Sequence, residues 1–156
     1  MISVCIATYN GEKYIREQLD SILKQLSAND EVIVSDDGSK DNTIEIIESL
    51  NDKRITILHN SGKHGFTHNF ENAIKNAKGD VIFLSDQDDV WVDDKVQSFL
   101  EVVKPGYLVI SDAWVCSGSL EKRYRLSEVR SFKSSYIENL YKGMFLGSTM
   151  CFTKES

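Results

Sequence analysis

The chain has 156 residues, 41% of them hydrophobic and 27% charged, the make-up of one ordinary globular domain with a real core. Its formal net charge of -6 excludes nucleic acid as the expected partner, because phosphate binding needs clustered Lys and Arg. The longest apolar runs, "VIFL" and "YLVI", are strand-sized and far short of the roughly 18 residues of a spanning helix.

The opening "MISVCIATYN" enters a strand-like run directly, without the pattern of a signal peptide, so a cytoplasmic location is the expectation. "ISVCIAT" reads as the first strand, followed by Ile15, Leu19, Ile22, Leu23 and Leu26 at helical spacing. "EVIVSD" is the second strand, with Ile44, Ile47 and Leu50 on a short helix after it. "RITILH" is the third, followed by Phe66, Phe70, Ala73, Ile74 and Ala77 on a helix that Gly79 is placed to end. "DVIFLSD" is the fourth, with Val96, Phe99, Leu100 and Val103 behind it and Pro105-Gly106 as a stop; "YLVISD" is the fifth. Beyond residue 112, "AWVCSGS" resembles a strand and turn, "SSYIENLY" a short helix and "GSTMCFT" a late strand. Strands separated by single amphipathic helices cannot be hairpins, so the expected architecture is α/β, a mostly parallel sheet with helices on both faces.

Cys5, Cys116 and Cys151 are odd in number and widely spaced, which fits reduced packing residues rather than disulfides or zinc ligands. His59, His64 and His68 share no face and have no partner cysteines, so no transition-metal site is expected from them either. Between Lys122 and Lys142 six Lys and Arg stand against two Glu. That stretch reads as a solvated loop, or as a face for an anionic lipid surface or a phosphorylated substrate.

Ligands of open α/β sheets bind beyond the carboxyl ends of the strands, so those ends are read together. They carry Thr8-Tyr9-Asn10-Gly11, Ser35-Asp36-Asp37-Gly38-Ser39, His59-Asn60-Ser61-Gly62, Asp86-Gln87-Asp88-Asp89 and Ser111-Asp112. Helix capping by Ser39 or Asp41 explains part of "SDDGSKDNT". One carboxylate of Asp36 and Asp37 is left to accept an N–H, and a pyrimidine imide would suit it. In "SDQDDVW" three acids fall within four positions, an arrangement that resists full ionisation unless a cation, water or backbone donors relieve it. An Asp-x-Asp at a strand end suits a hard divalent cation, Mg or Mn, and so short a protein ligand set suggests a metal recruited with a nucleotide diphosphate. Capping by Asp89 or Asp93 is the plain alternative.

"ISVCIATYNGEKYIREQLDSILKQ", "EVIVSDDGSKDNT", "NSGKHGFTHNFENAIKNAKGDVIFLSDQDDVW" and "GSTMCF" together resemble the N-terminal part of a family 2 glycosyltransferase, with the "SDQDDVW" form most similar to the rhamnosyltransferase-like branch of bacterial surface polysaccharide synthesis. The resemblance implies the GT-A (nucleotide-diphospho-sugar transferase) fold, Rossmann-like. It implies that residues 1–112 form a nucleotide-sugar-binding half and that 113–156 begin the acceptor-binding part of the same domain, cut short. Thr8, Tyr9 and Asn10 would meet the base and ribose of a UDP- or dTDP-sugar, Asp36 would accept the pyrimidine N–H with Asp37 beside it, and Asp86 and Gln87 would lie along the donor. Asp88, with Asp86, would bind the metal. Asn69 matches an Arg-Asn pair of the family, but His68 precedes it, so Lys63 or His64 would have to supply the missing cation; Trp91 would floor the sugar or acceptor pocket or belong to the core.

The implied reaction is inverting transfer to a saccharide or lipid-linked saccharide hydroxyl, with the general base expected beyond residue 156 and membrane association at most peripheral. The competing readings are a Mg-binding receiver-type signalling module and a catalytically silent donor-binding fragment. A receiver would carry its acid pair after the first strand, where this chain has "TYNG", and a Lys after the fifth, where it has Asp112.

Overall fold

A computed structural model describes residues 1–129 and 147–155. The alternation read from the sequence is present: β1 (Ile2–Thr8), α1 (Ile15–Leu23), β2 (Glu31–Asp36), α2 (Thr43–Ser49), β3 (Ile55–His59), α3 (Phe66–Asn76), β4 (Val81–Asp86), α4 (Lys95–Leu100) and β5 (Leu108–Ile110). A hairpin of β6 (Trp114–Cys116) and β7 (Lys122–Arg125), a short α5 (Leu126–Val129), a 3-10 turn (Gly147–Thr149) and β8 (Met150–Thr153) complete the described chain. The helix expected over "SSYIENLY" lies outside the described residues.

Six strands form one sheet in the order β3-β2-β1-β4-β8-β5. β1, β2, β3 and β4 are mutually parallel, whereas β8 runs antiparallel to both β4 and β5. The late strand therefore does not extend the sheet at its edge. It wedges between β4 and β5, joining residues from beyond 112 to the same sheet.

Period-2 alternation sorts the strand residues onto two cores. Ile2, Val4 and Ile6 of β1, Val32 and Val34 of β2 and Phe83 of β4 face Ile15, Leu19 and Ile22 of α1, Ile47 of α2, and Val96 and Phe99 of α4. The intervening Cys5, Ile33, Ile82 and Leu84 face Phe70, Ala73 and Ala77 on the opposite side, under α3. The helices thus cover both faces, with α3 alone returning the chain across the back from β3 to β4. Cys5 and Cys151 are buried thiols that desolvation pushes up to about 12, and all three cysteines are free, as packing residues should be.

Two local readings change. Phe66, placed by its spacing in the core of α3, is 80% exposed. Gly79 does not end α3, which stops at Asn76 with Ala77 already extended. It instead passes so close to β1 that a Cβ there would sit 2.6 Å from the Ser3 backbone nitrogen, and its N–H donates to Ser3 Oγ at 2.7 Å.

The carbonyls that end α1 are held from a distance. Arg54 donates to the Leu23 and Leu26 carbonyls at 3.0 and 2.7 Å and pairs with Asp52 at 2.6 Å. The Arg54 side-chain bond is the main cause that holds the Asp52 carboxyl at about 2 rather than 3.8. A depressed carboxylate stabilises the fold above its unfolded value, so this contribution is present above pH 3.8 and is lost as pH falls toward about 2. Arg54→Leu is expected to lower stability by about 2 kcal/mol at neutral pH. Its denaturant midpoint should also respond less than that of the parent chain to acidification across that window; parallel curves would show that the pair contributes nothing.

Candidate donor crevice at the carboxyl edge of the sheet

The chain order reverses between β1 and β4, the switch point where open α/β sheets leave a crevice. Register does the rest. Thr8 pairs with Asp36 and Ala7 with Asp86, so the polar residues that end β1, β2 and β4 come level at one edge. A cavity of about 330 Å³ opens there, lined by Ala7, Thr8, Tyr9, Asp37, Gly65, Phe66, Asn69, Asp86, Gln87 and Asp88.

Gln87 holds the first turn. Its Oε1 accepts from Thr8 Oγ1 at 2.6 Å and from the Tyr9 N–H at 2.8 Å, and its Nε2 donates to the Tyr9 carbonyl at 3.1 Å. Thr8 is consequently buried, while the Tyr9 side chain is half exposed at the rim. Asn10, at φ 50, lies outside the crevice; its Oδ1 accepts the Lys40 N–H at 2.8 Å and ties this turn to the loop after β2. Gly11 packs beneath Gln87, leaving no room for a Cβ, which would fall 2.5 Å from Oε1.

Of the acid pair after β2, the carboxylate that lines the crevice is Asp37. Asp36 is 2% exposed, and its oxygens accept from the N–H groups of Gly38 and Ser39, both at 3.0 Å, and from Ser39 Oγ. The expectation that Asp36 accepts a ligand N–H finds no support in this geometry, since its carboxylate is buried, closes its own turn and does not line the crevice. Ser39 likewise serves that turn and Asn10 rather than capping α2. Asp37 Oδ1 accepts from Asn60 at 2.8 Å and meets His64 Nδ1 at 2.9 Å, while Oδ2 accepts the Gly65 N–H at 2.8 Å. Partial burial works to raise its pKa, but these bonds outweigh it and hold the carboxyl below the ordinary range. A carboxylate has about four acceptor positions, so about one remains for a ligand. Lys63 is exposed and does not line the crevice; its carbonyl accepts from Asn60 at 2.9 Å.

Asn69 is 2% exposed and lines the floor. Its Nδ2 donates to the Thr8 carbonyl at 3.2 Å, and its Oδ1 is buried with no partner among the described residues. The exposed Phe66, the first residue of α3, stands on the same wall, and sequence periodicity gave no hint of it.

The far wall is acidic. Asp88 is exposed, Asp86 and Asp89 partly buried. Burial pushes Asp86 upward, with Asp89 and Asp88 adding repulsion; burial also raises Asp89, partly offset by a Ser148 hydrogen bond. Trp91 is buried against Phe83, centroids 5.5 Å apart, so it belongs to the core. Polar groups of α1 fix this segment: Ser21 Oγ accepts the Trp91 N–H at 3.0 Å, and Gln25 bonds the Val92 carbonyl and the Val96 N–H at 3.0 and 3.1 Å. Lys95 and Ser148 are absent from the sequence reading of the site; the Lys95 ammonium donates to the Ser148 carbonyl at 3.0 Å and lies 4.5 Å from the centre of the Trp91 ring. Asp112 is elsewhere, accepting from Ser127 Oγ at 2.6 Å and from the Ser127 N–H at 3.0 Å. Among the described residues no three His, Cys, Asp or Glu come together as a complete metal ligand set.

Gly11→Ala is expected to expel the Gln87 amide and lower stability by about 1–3 kcal/mol. Gln87→Ala should cost about as much alone, and the double variant no more than either single one. Additive losses in the unfolding free energies would refute the clamp.

The family model for glycosyl transferase family 2 matches residues 3–154. The dTDP-rhamnosyl transferase RfbG of Shigella flexneri is 40% identical over 103 residues, covering 62% of this chain and 36% of that protein. The crystal structure of S. aureus TarS 1-349 in complex with UDP-GlcNAc superposes with a TM-score of 0.59 at 32% identity, over 64% of this chain and 30% of that one. The Pyrobaculum calidifontis mannosyltransferase PcManGT, solved with GDP-Man and Mn2+, has a TM-score of 0.66 at 20% identity over 99% of this chain and 44% of its own, a likeness of fold alone. The chain spans about a third of the length of the curated relatives it matches. With its strand-end motifs in order on a mostly parallel six-stranded sheet of GT-A type, the chain belongs to glycosyl transferase family 2.

Proposed function

We propose that this chain is the donor-binding part of an inverting glycosyltransferase that uses a UDP- or dTDP-sugar, in the synthesis of a bacterial surface polysaccharide. The observation that carries the reading is the crevice itself, which has Asp37, a carboxylate held below its ordinary range, on one wall and a mutually repelling acid cluster on the other. Asp37 takes the base N–H, with Tyr9 against the base or ribose and Asn69 offering its unpartnered Oδ1 from the floor. Thr8 and Gln87 act from behind, by shaping the turn that carries Tyr9. Residues 1–112 supply this half, and 113–156 begin the acceptor side while lending β8 to the same sheet.

Asp88, with Asp86, would hold a magnesium or manganese ion. The fit rests on two carboxylates lining one crevice, Asp88 and Asp86, of which Asp86 has its ionisation opposed by burial and by the neighbouring Asp89 and Asp88, the condition a hard cation relieves. When bound, such an ion offsets the charge of the departing diphosphate. In the transfer an acceptor hydroxyl bonds to the anomeric carbon as the bond to the diphosphate breaks on the opposite face. Its proton passes to a general base, a role no described crevice residue is assigned. The TarS complex with UDP-GlcNAc and the similarity to RfbG support the two donor classes.

Calorimetric titration of the chain with UDP and dTDP, each with and without Mn²⁺, tests this. Metal-dependent binding of either nucleotide is expected. Asp88→Ala should remove the metal dependence, and Asp37→Asn should weaken nucleotide binding about tenfold while leaving that dependence in place, because it removes the base acceptor and loosens the Asn60–Gly65 loop without touching the acid cluster. Unchanged affinities in both folded variants would overturn the assignment.

A further inference from the structure

Phe66 lines the crevice with its ring open to solvent, and it belongs to neither hydrophobic core. A lone exposed apolar side chain is ordinary on a protein surface; one fixed inside a polar cavity calls for a partner. Its backbone is pinned on both sides. The preceding Gly65, at φ 113, donates its N–H to Asp37 Oδ2 at 2.8 Å, and its carbonyl accepts the Asn69 N–H at 3.0 Å. Asn69, three residues after Phe66, shares that face of α3, and its Oδ1 is buried without a partner among the described residues. The ring is thus set between two polar groups that line the same cavity.

Among the described residues that line the crevice there is no Lys, Arg or His, and the aromatic ones are Phe66 and Tyr9. β2 and β4 flank β1, so the Asp37 wall stands two strand spacings, about 10 Å, from the Asp86 wall. A nucleoside spans such a distance between the edge of its base and its phosphates. A donor's sugar lies beyond the diphosphate, hence on the acid side, which leaves the base for the side of Asp37 and Phe66.

We propose that Phe66 is a ligand-binding residue, the platform on which the pyrimidine base of the donor stacks while its N–H edge turns to Asp37. This rests on the donor-site reading above and deepens it. A planar base has a π-face and an in-plane N–H, and so meets the ring and the carboxylate at once. The stacking part of its recognition carries no net charge and is therefore insensitive to salt.

The test titrates the parent chain, Phe66→Ala and Phe66→Tyr with UDP and with inorganic pyrophosphate, each in Mn²⁺. Phe66→Ala is expected to weaken UDP binding about tenfold, by the same factor at low and high salt, and to leave pyrophosphate binding as it is. Phe66→Tyr keeps a ring and should stay near the parent. Melting temperatures should not move, because the ring packs into no core. Phe66→Trp adds a readout of contact: the emission of the added indole should be quenched by UDP and not by pyrophosphate. Parent-like UDP binding by Phe66→Ala would overturn the platform and leave the donor site standing. Equal losses of UDP and pyrophosphate affinity would also overturn it, since they mark a disturbed loop rather than a lost base contact. A folded parent chain that binds neither probe would overturn the donor-site reading, and the platform with it.

Discussion

The arrangement depends on β1 being paired on both edges. Its parallel register with β2 sets Thr8 beside Asp36, and its parallel register with β4 sets Ala7 beside Asp86. A slip of one residue in either pairing would turn each buried strand residue to the opposite core and carry the polar strand ends out of line. Burial on both faces forbids that slip, since Val4 and Ile6 fill one core while Cys5 fills the other. Hydrophobic packing far from the crevice is thus what holds its walls to one level.

Within that frame, the crevice is a place where polar groups are committed before any ligand arrives. Gln87 is consumed by the Thr8–Tyr9 turn, Asp36 by its own loop, and Gln25 and Ser21 by the segment that carries Trp91. Each commitment fixes a neighbour. The groups left with spare capacity, Asp37, Asn69 and Asp88, are few, and they stand on different elements. Hydrogen bonds of this kind contribute only about 1 kcal/mol each to stability, so their larger effect is to limit the positions that the remaining groups adopt.

The two walls differ in electrostatic character. Beside Asp37 stand the Gly65 N–H, His64 and the Asn60 amide, which hold one carboxylate below its ordinary range against the pull of burial. Around Asp86 and Asp89 burial and acid–acid repulsion raise the carboxyls more than Ser148 and Lys95 lower them. The proposed donor, a nucleotide diphosphate taken with a divalent cation, would present the matching asymmetry, an N–H donor at one end and an anion at the other.

The alternation of strands and helices, the two-faced core and the gathering of polar strand ends were legible from residue 1 to about 110, because periodicities of 2 and 3.6 are local properties of a chain. Motif order was legible too, and it carried the family. Three things were decided only by the tertiary structure. The sequence showed two adjacent acids at the end of β2, but which of them faces the crevice depends on the φ of 90 at Gly38 and on a loop 23 to 28 residues away that closes over Asp37. It showed a late apolar strand, but not that this strand inserts antiparallel between β4 and β5, since a strand's neighbours are set by long-range pairing. It showed Lys95 as one charge among many on a short helix. That its ammonium donates to the Ser148 carbonyl, in the 3-10 turn before β8, is a contact between segments more than 50 residues apart that no local pattern encodes.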